Sequence, residues 1–456
     1  MVKKTTQYVC QQCATAYSKW SGRCDNCGAW NSLVEEEKAV QKKAIVDRSQ
    51  GKVLQGESIA AVKIDAIQNR LQTGLSELDE VLGGGIMPGA VVLVAGQPGI
   101  GKSTILLQVA SRIAEQRSVL YVSGEESAGQ IRLRASRLGA DVKSDATLSL
   151  VASTSADDIA ATIAADQHDL VIVDSMQTVG MSELAAAPGT VSQITNSANI
   201  IIRAAKASNT AVLLVGHVTK EGSIAGPKVL EHLVDVVLQL EGDRYGGFKM
   251  MRAVKNRYGS TSEVAIFEMS QVGLVAVDNP SAMLLAQRSQ ADGSVILATM
   301  EGNRPLLVEI QALVNPTHFG YPKRTASGFD LNRLTLLIAV LERRTKLNLS
   351  DKDIFINVVG GLKLQDPAAD LAICMAIASA SAEREIAHDA VVFGEVGLGG
   401  EIRTAPMIDA RIREAKKLGF KAAIGPSSKV TDSFMRPVTN LRDALNSYVS
   451  IPKSNS

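Results

Sequence analysis

Between about Gln72 and Met269 the chain alternates short unbroken apolar runs with longer stretches of helical periodicity. The runs VVLVAG (91–96), VLYVSG (119–124), DLVIVDS (169–175) and AVLLVGH (211–217) are rich in β-branched residues and show no alternation of apolar with polar positions. Strands of that kind are covered on both faces, as in a parallel sheet. STILLQVASRIAEQ and TNSANIIIRAAKAS lie between them and read as helices. Strand and helix alternating at this spacing predict an α/β domain.

A second set of elements starts near residue 285, with strands SVILATM, LLVEIQALV, IFINVVG and AVVFGEV and helices LTLLIAVLERRT, DLAICMAIASASAERE and IDARIREAKKLG. It predicts a separate α/β or α+β domain. Residues 35 to 58 open with Glu35-Glu36-Glu37 and carry few large apolar side chains, the composition of a linker. The expected organisation is a module over 1–34, a linker over 35–64, an α/β domain over 65–280 and the last domain over 281–456. No repeat with a period of 20 to 50 residues is visible.

Composition adds limits more than direction. The chain has 456 residues, 46% hydrophobic and 21% charged, enough for more than one core. No apolar run approaches the roughly 20 residues of a membrane-spanning helix, and MVKKTTQYVCQQC lacks the apolar middle of a secretory signal, so a cytoplasmic protein with no membrane partner is expected. A net charge of +1 does not announce a nucleic-acid binder, and any DNA contact has to come from a local basic surface.

Four of the five cysteines fall in two pairs, Cys10-x2-Cys13 and Cys24-x2-Cys27, with ten residues between the pairs. Each short loop turns two sulfurs toward one point, so the four thiolates can hold a tetrahedral Zn²⁺ with no open position, a structural or recognition site. Two disulfides, or a redox pair, are the alternatives, and the expected compartment disfavours the disulfides. Gly28 can supply a left-handed turn after the second pair. Trp20 and Trp30 flank that pair and are expected to form the module's miniature core rather than a base-stacking pair. Cys374, in DLAICMAIASA, is expected to be a buried core thiol.

Gly96, Gln97, Pro98, Gly99, Ile100, Gly101, Lys102 and Ser103 match G-x4-G-K-[ST], after an apolar strand and at the opening of a helix. The glycines let backbone N–H groups close around the phosphates of ATP, Lys102 reaches the β and γ oxygens, and Ser103 offers a hydroxyl to Mg²⁺. Thr104 is the weaker candidate hydroxyl. Asp174 ends LVIVD, where a carboxylate can reach a Mg²⁺-bound water, although Asp-Ser is also common as a helix cap. Glu125 ends VLYVSGE, a strand expected beside the phosphate-binding strand, and can polarise the attacking water; Glu126 is its competitor. His217 ends AVLLVGH on the same sheet edge, where ligands collect in open α/β folds, with a structural histidine as the alternative.

TGLSELDEVLGGGIMPGAVVLVAGQPGIGKSTILLQ, VLYVSGEES and LVIVDSMQT together resemble the RecA/KaiC superfamily. Adding the four-cysteine module, Lys255-Asn256-Arg257-Tyr258-Gly259 and the last domain makes almost the whole chain similar to the bacterial RadA (Sms) family. The resemblance implies a motor similar to hexameric DnaB-type helicases, binding single-stranded DNA and driving branch migration of recombination junctions made by RecA. It implies a homo-oligomeric, hexameric ring with ATP between subunits, Glu125 as the catalytic carboxylate and His217 at the γ-phosphate-sensing position. Lys255 and Arg257 become fingers that reach a neighbour's ATP. The family's usual motif has Phe where Tyr258 stands, a change that keeps the ring. From the residues alone, Lys255-Asn256-Arg257 reads as a basic hairpin edge. The superfamily's DNA-facing loop corresponds to Lys220–His232, with Lys220 and Lys228 as candidate contacts to backbone phosphate and a plain solvent-exposed loop as the alternative.

VVGGLKLQDPAADLAICMAIA and FGEVGLGGEIR resemble the proteolytic domain of Lon. Pro367-Ala368-Ala369-Asp370 stands where that family has Pro-Ser-Ala-Gly, and no lysine occurs over Asp409 to Arg411 where its partner lysine should fall. A scaffold rather than a peptidase is expected, since alanine has no nucleophile to activate. Two rivals to the DNA motor remain at this point, a KaiC-like regulatory ATPase without DNA and an ATP-dependent protease.

Overall fold

A computed structural model of the chain describes residues 6–12, 15–37, 58, 69–138, 147–165, 167–218, 224–225, 229–242, 248–286, 288, 291–317, 320–427 and 432–449. Cys13, Lys220 and Lys228 lie outside the described residues. The chain divides into two compact units, Met1–Arg244 with Lys249–Ala276, and Tyr245–Phe248 with Val277–Ser456. Among the described residues no helix is long and apolar enough to cross a membrane.

The first unit opens with a three-stranded antiparallel ribbon in which Thr6–Cys10 lies between Ala16–Tyr17 and Leu33–Glu37. The third strand runs three residues past position 34. Cys10 and Cys24 are fully buried, with Val9 and Leu33 beside them. So small a sheet has its interior filled by sulfur and two aliphatic side chains, and the indoles are left outside. Trp20 is 58% and Trp30 72% exposed, which overturns the expectation of a tryptophan core.

The main sheet of this unit is built around Val91–Gly96. Ala211–Val218 and Val236–Gly242 flank that strand, both parallel to it. Beyond Ala211–Val218 come Leu170–Asp174, Val119–Ser123 and Leu148–Ala152, again all parallel. On the other side Phe248–Asn256 pairs antiparallel with Val236–Gly242, and Val264–Ser270 and Gly273–Ala276 complete the flank. Alternate residues of single strands feed two cores. Val92, Val94 and Tyr121 pack with Ile105 and Leu107 of the helix Lys102–Ile113, while Val91, Leu93 and Val122 pack with Ile194 and Ile201 of Val191–Ser208. Burial on both faces is why the runs lack a polar alternation.

Two expectations fail here for one reason. Val119–Ser123 is not beside the phosphate-binding strand, because Leu170–Asp174 and Ala211–Val218 intervene. Phe248–Asn256, which carries Lys255, is an interior strand and not a hairpin edge. An apolar run states that a strand is buried, but not which strands lie next to it.

The second unit holds a seven-stranded mixed sheet in the order Arg324–Ser327, Lys352–Val358, Arg304–Pro316, Ser294–Glu301, Ala390–Val392, Ala422–Pro426 and Met435–Val438. The helix Asp370–Ala382 is buried from Asp370 to Ala380, as its apolar composition on all sides requires. Cys374 is fully buried within it, as expected. The run AVVFGEV splits into Ala390–Val392 and Glu395–Val396, since Gly394 donates its N–H to the Ala368 carbonyl at 2.7 Å instead of continuing the ladder.

That bond helps to seat the turn Pro367–Ala369. Just before it, Asp366 accepts from the Ala368 N–H (3.0 Å), the Met300 N–H (3.1 Å) and the Thr299 hydroxyl (3.2 Å). Arg411, in the helix Ile408–Lys417, is wholly buried and pairs with Asp366 at 2.7 Å. Its Nε donates to the Pro406 carbonyl (3.1 Å), and its guanidinium lies 5.5 Å from the Phe393 ring centroid. The segments that resemble the Lon Ser-Lys site are thus joined by a closed ion pair. Removing one partner strands a buried charge, so Arg411→Met is expected to destabilise the unit by about 3–5 kcal/mol in denaturant unfolding; a loss below about 1 kcal/mol would contradict this account.

Candidate functional site

The strand Val91–Gly96 runs fully buried into the loop Gln97–Gly101, and the helix Lys102–Ile113 starts directly after it. Ile100, 1% exposed, pins the loop into the core, while Pro98 and Gly99 face outward. Gly101 sits at φ +117°, and a Cβ there would come within 3.0 Å of Met269 Cε and 3.2 Å of Leu274 Cδ1, so the loop turns into the helix only with glycine at this point. No side chain caps the helix and its first turn carries no acid, which leaves the helix start suited to an anion. Ser103 and Thr104 are half-buried in that first turn.

Lys102 is 4% exposed and folds its ammonium back over the loop, donating to the carbonyls of Gly96 (2.8 Å) and Gln97 (3.0 Å). Burial lowers its pKa to about 8, against the opposing pull of the nearby Asp174 and Glu125 carboxylates.

Asp174 and Glu125 meet at the same sheet edge although their strands lie apart from the phosphate strand. Ser123 is aligned with Asp174 in the parallel ladder, and the Gly124 N–H donates to the Asp174 carbonyl at 2.8 Å. A side chain at 124 could not be accommodated, because its Cβ would fall 2.0 Å from Thr178 Oγ1. The Asp174 carboxylate accepts from the Tyr121 hydroxyl at 2.7 Å. Burial first, and Asp174 second, hold that phenol well above its ordinary pKa, so it stays a donor. The Asp174–Ser175 peptide is cis. The fully buried Ser175 donates its hydroxyl to Glu125 Oε1 at 2.8 Å. Glu126, by contrast, is ion-paired with Arg134 on the helix Ala128–Arg137. Of the two glutamates, Glu125 alone is linked to the Asp174 strand end.

His217 is aligned with Gly96 in the parallel ladder, which brings its backbone beside the phosphate loop; its side chain is outside the described residues. Lys255 and Arg257 go elsewhere. Asn256 aligns with Val236 and Val236 with Val92, four residues before Gly96, so these cations sit at the opposite end of the strands, about 13 Å along the sheet from the loop. Lys255 Nζ donates to the carbonyls of Val234 (2.7 Å), Glu231 (2.8 Å) and His232 (3.3 Å), at the end of the short helix Val229–Leu233. Burial, then the charge of Arg257, lowers its pKa. Arg257 pairs at 3.2 Å with Asp235, which is 3% exposed and also pairs with Lys206.

In the ribbon the sulfurs of Cys10, Cys24 and Cys27 lie within 4.8 Å of one another, Cys10 and Cys27 at 3.7 Å. Zn–S bonds of about 2.3 Å in a tetrahedron put sulfurs about 3.8 Å apart, so the donor set fits zinc. At 3.7 Å the sulfurs of Cys10 and Cys27 are too far apart to be joined to each other by a disulfide bond. Gly28 takes φ +76°, the left-handed turn expected there. The hydroxyls of Tyr17 and Ser32 lie 3.3 Å from the sulfurs of Cys24 and Cys10, placed to hydrogen-bond them.

Three residues of the two sheet edges escape a reading of the sequence: Tyr121, Ser175 and Asp235. Tyr121 hides in an apolar run without any signal. Ser175 is legible only as half of an Asp-Ser cap, and Asp235 as an acid directly before the apolar run VVLQL.

Similarity to known protein families falls in three segments of the chain. Residues 8–35 match the family described as a rubredoxin metal binding domain, residues 60–223 an AAA domain, and residues 335–429 the subunit ChlI of Mg-chelatase. Among solved structures the chain is similar to a RadB recombinase, with a TM-score of 0.37 and 22% identity, over 46% of this chain and 100% of that one. The DNA repair protein RadA of Halalkalibacterium halodurans is 47% identical, covering 94% of each chain. Those of Bacillus subtilis and Aquifex aeolicus are 45% and 44% identical, each covering 98% of this chain and 99% of the relative. At that identity over nearly its whole length, the chain belongs to the family of the DNA repair protein RadA, with a RecA-like P-loop ATPase domain, an N-terminal zinc-ribbon module and a C-terminal Lon-protease-like α/β domain.

Proposed function

We propose that the protein is a DNA-dependent ATPase that binds single-stranded DNA and drives branch migration of RecA-made intermediates in recombination and repair. The observation that carries this reading is the separation of the phosphate loop from Lys255 and Arg257 across one sheet. Lys102, Asp174 and Glu125 gather at the carboxyl ends of the strands, and Lys255 and Arg257 at the amino ends. Cations about 13 Å from the phosphate loop of their own chain do not serve that loop, and in a ring such as the family resemblance implies they serve the loop of a neighbour.

Within such a ring the residues divide the work. The loop from Gly96 to Ser103, with Gln97, Pro98, Gly99, Ile100 and Gly101, cradles the phosphates by its backbone N–H groups. Lys102 exchanges the Gly96 and Gln97 carbonyls for phosphate oxygens. Ser103, with Thr104 as the weaker hydroxyl, and Asp174 would hold Mg²⁺, which would neutralise phosphate charge when bound. Glu125, aimed by Ser175, orients the attacking water and takes its proton. His217, whose backbone lies beside Gly96, senses the γ-phosphate, and Lys220 and Lys228, later in the sequence, contact DNA phosphates. Cys10, Cys13, Cys24 and Cys27 hold the zinc ion, and the Lon-like domain acts as scaffold without peptidase activity.

Turnover of the purified protein is expected to rise on adding single-stranded DNA, and the rise to shrink as salt increases; unchanged turnover together with salt-insensitive binding would sink the motor reading. Extension of joints on a RecA-made junction checks the direction of use. Because ATP favours the charged ammonium and Lys102 titrates at about 8 in the free protein, nucleotide affinity should be flat below that pH and weaken above it. Lys102→Arg should flatten the profile, and an affinity constant up to pH about 9.5 would contradict the assignment. Cys24→Ser should bring zinc to background by elemental analysis, whereas full metal content would rule out ligation by Cys24.

A further inference from the structure

We propose that Asp235 is a positioning residue for ATP cleavage in the adjacent subunit, holding the Arg257 guanidinium in place and tying it to the strand that carries the phosphate loop. The inference rests on the reading of Lys255 and Arg257 as cations supplied in trans. Its geometric basis is the way one buried carboxylate is shared. Asp235 Oδ2 accepts the Val91 N–H at 3.0 Å, at the first residue of the phosphate-loop strand, and pairs with Lys206 near the end of the helix Val191–Ser208. Oδ1 accepts from Arg257 Nη1 at 3.2 Å. One oxygen is fastened to the framework and the other holds the cation.

The backbone repeats the connection. The Asp235 N–H donates to the Val91 carbonyl at 2.9 Å, and the Arg257 N–H to the Asp235 carbonyl at 3.2 Å. Burial pushes the Asp235 pKa up, but the hydrogen bonds from Lys206 and the Val91 N–H, with the charges of Lys206 and Arg257, outweigh it and leave the carboxyl below its ordinary value. Asp235 therefore stays ionised. The Arg257 side chain is 57% exposed, so its guanidinium is held from one side with the remainder open to solvent. An arginine left free would sample many rotamers, and fixing one end removes most of them before a phosphate is met. Asparagine could still accept the Val91 N–H, so a role confined to starting the strand would not require a charge. Lys255 is attached to the same connection, through the carbonyls of Glu231, His232 and Val234.

The test is complementation in mixed rings. Lys102→Ala removes the phosphate site but leaves the cations; Arg257→Ala does the reverse. Asp235→Asn alone should keep KM within about twofold and lower kcat about tenfold or more. Mixed with Lys102→Ala it should regain turnover, and mixed with Arg257→Ala it should not. Recovery with Arg257→Ala instead, or an unchanged kcat, would overturn the inference by placing Asp235 in its own phosphate site or outside the reaction. The pair Lys102→Ala and Arg257→Ala is the reference. If that pair fails to complement, the trans reading falls and this inference with it; if the pair complements while Asp235→Asn groups otherwise, only Asp235 is dismissed. Should Asp235→Asn not assemble, Asp235→Glu keeps the charge and shifts it by one methylene, with the same grouping expected. Failure of both to assemble would make Asp235 structural and refute the positioning role.

Discussion

The backbone ladder around Val91–Gly96 constrains where every functional group of the ATPase domain can stand. The strand is bonded on both sides to parallel neighbours, Ala211–Val218 and Val236–Gly242, and is covered on both faces by side chains from two cores. Parallel neighbours must be joined by crossovers, so every strand in this block ends at one edge of the sheet and begins at the other. The carboxyl edge collects the phosphate loop, Asp174, Glu125 and the backbone of His217. The amino edge collects Asp235, Lys206 and, through the antiparallel return of Phe248–Asn256, Lys255 and Arg257. The phosphate loop and the Lys255–Arg257 pair are separated because of how strands are joined, before any side-chain chemistry acts.

At the carboxyl edge, polar side chains settle what the ladder leaves open. Two adjacent glutamates come after Val119–Ser123, and their different partners separate them: Ser175 holds Glu125 toward the Asp174 strand end, and Arg134 draws Glu126 to the next helix. Gly124 permits that arrangement, since any Cβ would displace Thr178. The second unit uses similar means for a different result. Beside the positions where the resemblance to Lon would place a nucleophile and its lysine, Asp366 and Arg411 neutralise each other in the interior.

Much of this architecture is legible in the amino-acid order. Unbroken β-branched runs mark the buried strands, the glycines with Lys102 mark the anion site, and the two Cys-x2-Cys pairs mark the ribbon. The order of strands is not legible, because apolar patterning reports burial rather than neighbours; hence the misplaced strand of Glu125 and the hairpin edge assigned to Lys255. Partnerships across long separations, such as Tyr121 with Asp174 or Asp235 with Val91, are equally invisible until the sheet is assembled. The tryptophans defy expectation for a reason of size, since sulfur already fills the centre of a ribbon this small.

The outward placement of Trp20 and Trp30 also has an optical consequence. They are the chain's two tryptophans, and both belong to the ribbon, so indole emission arises from that module alone. The guanidinium of Arg23 lies 5.8 Å from the Trp30 ring centroid, and water has access to both indoles, which makes the emission responsive to whatever covers them. The ATPase and C-terminal domains contain only tyrosine and phenylalanine and are dark under selective indole excitation. The zinc ribbon thus carries an intrinsic reporter for its own contacts, readable without a label in the unmodified protein.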